Sequence, residues 1–280
     1  MCSTRANVAA MLALMKVYLS VDIEGVVGIA AWEEARKEHA DYPPFRDRMA
    51  REAAAACEGA LAAGASELLV KDAHGSGRNL RPDDLPAPAR LIRGWSGHPS
   101  CMLQELDQSF DAILLVGWHG PAGAGDNPLA HTLSSRNLAE VQLDGVRCSE
   151  FRLHALFAAE LDVPVALVAG DVGLCDEVQA TNAAITTVRT MRGFGASTLS
   201  EHPDEVDQQL RDGVARALGG DLSACRLEPP TQPEVVVRYK DQAMAYRKSF
   251  YPGAELVEPT QVRLRAASMF EVMRFLMFAT

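Results

Sequence analysis

The sequence predicts an α/β fold built on a parallel sheet, followed by a smaller C-terminal region. Three observations carry this. Short, near-continuous apolar runs at 16–21, 67–71, 112–116 and 165–168 each end in a polar or glycine-containing turn, as strands buried on both faces do. An Ala-, Arg- and Glu-rich stretch at 45–63 separates the first two runs and stops at Gly64. Strand, helix, strand at this spacing is the βαβ order of a parallel pair. After Gly173 the rhythm changes and the apolar runs become sparse.

The remaining elements follow in chain order. The run 138–143, then Asp144-Gly145, then 146–148 predicts a hairpin, because Asp-Gly fits a two-residue turn. Ser149 is a suitable N-cap for a helix from Glu150 to about residue 161, with Pro164 beyond its end. Helices are expected over 176–184 and 204–218, the second stopped by Gly219-Gly220. The prolines at 229, 230 and 233 mark a sharp turn or linker. Strands over 234–239 and 261–265 and a helix over 267–278 complete the reading. A boundary is placed near residue 190, at Met191-Arg-Gly-Phe-Gly195. It divides the chain into an extension over 1–14, expected to be disordered, a catalytic region over 15–190 and a smaller region over 191–280.

Composition excludes several functions. A formal net charge of −10 argues against nucleic-acid binding, which needs Lys and Arg to neutralise phosphates. No stretch reaches the ~20 apolar residues of a membrane span, so no membrane role is expected. Six scattered cysteines lack Cys-x-x-Cys spacing and fit reduced thiols of a cytoplasmic protein. Residues 11–20 are apolar after Arg5, but Lys16 interrupts them and no small-residue cleavage site follows, so a strand start is preferred to a signal peptide.

The chemistry lies at the strand ends. Asp22 and Glu24 follow the first strand, Asp72 and His74 the second, His119 the third. Ligands of open α/β sheets bind beyond the carboxyl ends of the strands, so these side chains are expected to converge. Residues two apart on extended chain point the same way, which suits Asp-x-Glu. Glu150 adds a carboxylate from the start of its helix. Carboxylate oxygen and imidazole nitrogen both bind zinc. Five such ligands exceed the needs of one structural zinc and suit two metals sharing a bridging carboxylate, with Asp22 the choice for the bridge. Each residue has an ordinary alternative: Asp22 and Glu24 as a capping turn, His74 and His119 as loop histidines, Glu150 as a first-turn glutamate favoured by the helix dipole. Agreement between three strand ends favours the metal site.

Further motifs make the expectation specific. Ser20-Val-Asp-Ile-Glu24-Gly25 resembles the Ser-x-Asp-x-Glu-Gly signature of the D-aminopeptidase DppA family of zinc peptidases. Val70-Lys-Asp-Ala-His74, Val116-Gly-Trp-His119, Ala130-His131-Thr-Leu-Ser134, Gly145 to Glu150, Val168-Ala-Gly-Asp171 and Tyr251-Pro-Gly253 also resemble its segments, in order. The resemblance implies a doubly wound, mostly parallel α/β sheet with a second, smaller α+β domain. It implies two zinc ions per subunit held by Asp22, Glu24, His74, His119 and Glu150, with His131 catalytic as nucleophile or acid–base group. It further implies hydrolysis of short peptides or amino-acid amides with N-terminal D-residues, and assembly as a homo-oligomer, a decamer, to which residues 191–280 are expected to contribute contacts. Departures occur at Ala130, at Gly120-Pro121 and at Val172, where the family often has a second acidic residue.

An acid–base role for His131 is preferred to the nucleophile role, since an unperturbed histidine titrates near ~6.5. Asp72 and Asp171 are candidates for holding the substrate amine, or for orienting a metal-bound histidine. His39, His98, His154 and His202 are set aside as surface or core histidines, with His154 close enough to Glu150 to line the same crevice. Two other readings compete: a dinuclear phosphoesterase, which also wants phosphate-clamping cations such as Arg78, Arg93 or Lys71, and a non-catalytic metal- or ligand-binding subunit.

Overall fold

The computed structural model describes residues 14–280, so all of the expected extension except Leu14 lies outside the described residues. In chain order the elements are β1 (Met15–Val21), α1 (Trp32–Ala35), α2 (Tyr42–Ala62), β2 (Ala65–Asp72), β3 (Arg90–Ile92), β4 (Ala112–Trp118), β5 (Leu138–Leu143), β6 (Val146–Arg147), α3 (Glu150–Glu160), β7 (Val165–Asp171), α4 (Val172–Thr181), β8 (Thr186–Phe194), β9 (Ser197–Ser200), α5 (Pro203–Leu218), β10 (Glu234–Tyr239), α6 (Gln242–Lys248), β11 (Ala254–Glu258), β12 (Gln261–Arg265) and α7 (Met269–Ala279).

Two sheets organise them. The larger runs β3-β2-β1-β4-β7-β8-β9 and the smaller β11-β12-β10-β5-β6. Every pairing in the first is parallel until β9, which turns back on β8. The second is antiparallel throughout. The α/β fold class is as the sequence predicts.

Both faces of the large sheet are covered, which is why its strands read as unbroken apolar runs. Val17, Leu19, Leu114 and Val116 join one core, with Met49, Ala53, Ala56 and Ala60 of α2 and Leu210 and Val214 of α5. Tyr18, Ile113 and Leu115 point the other way, into a core with Phe151 and Leu153 of α3, Phe275 and Leu276 of α7, and Val235 and Val237 of the small sheet. Alternation along β1 and β4 thus feeds two cores. Each fully buried Val, Leu or Phe contributes about 1.5–3 kcal/mol.

The division expected at residue 190 falls inside β8. Strands β8 and β9 complete the large sheet, and α5 packs on α2. Conversely, β5 and β6, at 138–147, belong to the small sheet, where β5 pairs with β10. The smaller unit is therefore assembled from two separated stretches. Its apolar interior is continuous with one face of the large sheet, and a soft boundary in the sequence could not reveal that.

Candidate functional site

The strands β2, β1 and β4 are neighbours, and the polar residues leave their carboxyl ends side by side. The Asp22 amide donates to the Val116 carbonyl at 2.9 Å and Ala73 N–H to Val21 O at 2.8 Å, so all three chains are still laddered where the site begins. The turn after Asp22 then passes against β4. Gly25 N–H donates to Gly117 O at 2.8 Å. A Cβ on Gly25 would stand 1.8 Å from the Trp118 carbonyl oxygen, so only glycine admits this approach.

The residues expected to bind metal are all brought together, in two adjoining groups. Asp22, Glu24 and His74 form one, and His119, His131 and Glu150 the other, with donor atoms in each group within 4.8 Å of one another. His74 Nδ1 stands 2.9 Å from Glu24 Oε2 and 3.2 Å from Asp22 Oδ1. The other Asp22 oxygen is 3.7 Å from His119 Nε2, which is also 3.7 Å from Glu150 Oε2. One Asp22 carboxylate therefore faces both groups. The His131 ring stacks on His119 with centroids 4.3 Å apart, and its Nε2 lies 3.8 Å from Glu150 Oε1.

The three histidines share one device. His74 Nε2 meets the Ala35 carbonyl at 2.7 Å, His119 Nδ1 the Gly120 carbonyl at 2.9 Å and His131 Nδ1 the Leu129 carbonyl at 3.0 Å. A carbonyl accepts only, so each ring donates there, and its second nitrogen turns toward the carboxylates. This is how metal-ligating histidines are oriented. The second nitrogen of His119 is buried with no hydrogen-bond partner, and an unpaired buried polar atom costs free energy unless something meets it.

Electrostatics agree. Burial raises the Asp22 carboxyl well above the usual range and the neighbouring Glu24 pushes it further. Burial acts the same way on Glu24, but His74 overcomes it and holds Glu24 low. Burial favours neutral His74, yet Glu24 and Asp22 raise it well above 6.5. For His119, burial is outweighed by Glu150, Asp22 and Glu24, which lift it to about 9. His131 differs: burial and the neighbouring His119 lower it. Protons thus fill a cluster of buried carboxylates and imidazoles that divalent cations fit by donor type, and metal binding would displace them.

The cluster opens into a cavity of about 610 Å³, walled by Trp32, Trp95, His98 and, from α7, Met273, Leu276 and Met277. Nothing in the sequence marks α7 as a wall, since its Met- and Phe-rich pattern is that of any core helix. His98, expected to be a surface or core histidine, also lines the cavity. His154 is fully buried against Trp118 and donates to the Glu150 carbonyl, so it supports Glu150 from behind. His39 and His202 are exposed.

Asp72 and Asp171 do neither of the things expected of them. Asp72 accepts from the Asn79 and Leu80 amides and from Asn79 Nδ2, and Asn79 in turn donates to the His74 carbonyl. It shapes the His74 loop without touching a ring. Asp171 caps α4 at Leu174 N–H and accepts from Gly120 N–H and Asn127 Nδ2. Both carboxylates are fully buried, and each already accepts three hydrogen bonds from these donors. Lys71 is similarly committed, to the Gly94 carbonyl and the face of Trp95.

Carboxylates and imidazoles converging beyond the strand ends of a doubly wound sheet, in an open cavity, define a hydrolase-type centre. The chain belongs to the Peptidase_M55 family, described as D-aminopeptidase, whose profile matches residues 15–278, and it is accordingly a peptidase. A D-aminopeptidase of Bacillus subtilis (strain 168) is 27% identical over 268 residues, covering 95% of this chain and 97% of the relative. A solved structure described as the Zn-dependent D-aminopeptidase DppA from Bacillus subtilis, a self-compartmentalizing protease, superposes with a TM-score of 0.89 at 26% identity. That match covers 95% of this chain and 96% of the other. Family membership sets aside the phosphoesterase and binding-subunit readings.

Proposed function

We propose that this chain is a dinuclear zinc aminopeptidase acting on short peptides or amino-acid amides with N-terminal D-residues. The observation that carries the reading is the pair of adjoining donor groups with Asp22 facing both. Asp22, Glu24 and His74 would hold one ion, and Asp22, His119 and Glu150 the other. Bound zinc supplies Lewis acidity, lowering the pKa of water toward ~7 and polarising a carbonyl.

The chain's own residues do the rest. His131 keeps its Nδ1 proton on Leu129 O, so Nε2 is the atom that takes a proton from the attacking water and passes it to the leaving amine. Its lowered affinity for protons leaves that atom free at neutral pH. Trp32, edge-on to His131 at 5.3 Å, limits water around it.

Assembly as a homo-oligomer, a decamer by resemblance, belongs to the same proposal, as does a cytoplasmic location. Most large exposed apolar side chains lie within 191–280: Phe194, Leu199, Tyr246, Phe250, Leu256 and Phe278 among them. This supports oligomer contacts by that region. No helix among the described residues is long and apolar enough to cross a membrane.

The test is hydrolysis of D-Ala-D-Ala beside L-Ala-L-Ala by zinc-loaded protein, with a chelated control and zinc counted per chain. Chelator-sensitive turnover of the D-peptide at two zinc ions per chain is expected. Turnover of the L-peptide alone refutes the stereochemical part. One zinc per chain in an active enzyme refutes the dinuclear part.

A further inference from the structure

We infer that Arg36 binds the C-terminal carboxylate of the peptide substrate and so favours free peptides of two or three residues over longer ones. This rests on the aminopeptidase reading above and adds to it the far end of the substrate.

Arg36 follows the short helix α1 and is exposed at the rim of the cavity, among its lining residues. Its guanidinium lies over the Trp32 ring at 5.4 Å from the centroid, and the same ring meets His131 at 5.3 Å. Trp32 therefore contacts both the His131 ring and the Arg36 cation. Among the described residues no carboxylate stands within ion-pair distance of the Arg36 guanidinium, although Glu38 also lines the cavity. Lys37, Arg78 and Arg136 also line the cavity, but among the described residues none of them rests on an aromatic ring. An unpaired guanidinium on the cavity lining offers a planar donor fork, and that fork matches a carboxylate in bidentate geometry.

Length selection follows from the spacing. Contacts of 5.3 and 5.4 Å to the same Trp32 ring keep the His131 ring and the guanidinium within the sum of those two distances of each other. An extended chain covers about 3.3–3.6 Å per residue, so a peptide cut beside His131 reaches Arg36 with one or two residues after the scissile bond. Anchoring the carboxylate end at the rim leaves the amine end of the peptide directed inward, toward Asp22, Glu24 and Glu150 and the cations they would hold.

The experiment compares D-Ala-D-Ala with its C-terminal amide in wild-type, Arg36→Ala and Arg36→Lys zinc-loaded enzymes. Arg36→Ala is expected to raise KM for the free peptide by roughly tenfold to a hundredfold, the loss of one charge-assisted bidentate contact. KM for the amide should change less than threefold, and kcat should hold for both. Arg36→Lys should restore part of the free-peptide affinity, since an ammonium offers a point charge without the fork. Equal changes on both substrates, or none on the free peptide, overturn the assignment while amide turnover keeps the aminopeptidase reading intact. A wild-type enzyme that cleaves neither substrate sinks that reading, and this assignment with it.

Discussion

Glu52 offers a test of the packing beneath the site. It is fully buried in α2. One oxygen accepts from the Val27 amide at 2.9 Å, in the loop that carries Asp22 and Glu24, and lies 3.3 Å from Arg48 Nε. The other oxygen has no partner. Burial raises its pKa from 4.5 to about 7, against the pull of Arg48 and the Val27 amide. The folded-state pKa lies above the unfolded one, so the folded chain binds the extra proton between those two values. The contribution of Glu52 to stability is then fully present below pH 4.5 and is lost as pH rises through 7. At about 1.4 kcal/mol per pH unit the whole decline is about 3 kcal/mol. Glu52→Gln keeps the acceptor for Val27 and removes the titration. Urea unfolding of metal-free protein, at one protein concentration and followed by tryptophan fluorescence, gives ΔG at pH 5 and pH 8. The variant should gain about 2–3 kcal/mol on wild type between those pH values. Parallel pH profiles for the two proteins would falsify the claim that Glu52 is protonated in the fold.

Three other outcomes are expected. Zinc at a hundred times its dissociation constant should stabilise by about 2.7 kcal/mol per site and raise Tm by about 5–10 °C; an unchanged melting curve in calorimetry would rule out binding to the folded donor groups. His131→Ala should retain the zinc content of wild type while kcat falls by about 10²–10⁴, whereas loss of an ion in metal analysis would make His131 a ligand instead. Gly25→Ala places a methyl 1.8 Å from the Trp118 carbonyl, forcing β1 and β4 apart beyond their ends. It should cost more than about 3 kcal/mol in unfolding free energy, and a variant as stable as wild type would show that this turn yields freely.

Much of the arrangement was legible because its causes are local. Strand ends marked by Asp22, His74 and His119 could be read from apolar runs that stop at polar residues, and a parallel sheet then fixes where such ends meet. The resemblance supplied His131, whose loop has no periodicity to read. What escaped depends on distant pairing. The strand β8 reads as a mixed polar segment at 186–194, and only its register with β7 gives it a place. The helix α7 is apolar on several sides, so nothing local says that Met273 and Met277 face a cavity while Phe275 is buried. Asp72 and Asp171 misled because an aspartate beside a candidate ligand or at a strand end looks the same in sequence whether it serves a metal or a loop's amides. The count of amides without partners settles that question, and it exists only in three dimensions.

The carbonyls that hold the three histidines belong to Ala35, Gly120 and Leu129. None is a side-chain group. A replacement at these positions alters what surrounds the acceptor but leaves the acceptor in place, so single substitutions cannot readily erase the orientation of a ring. The centre is therefore buffered against drift at its supports, and exposed to it at the carboxylates and in the shape of the loops. Divergence within such a scaffold is free to remodel the cavity walls, and with them the choice of peptide, while the rings stay aimed at the same point.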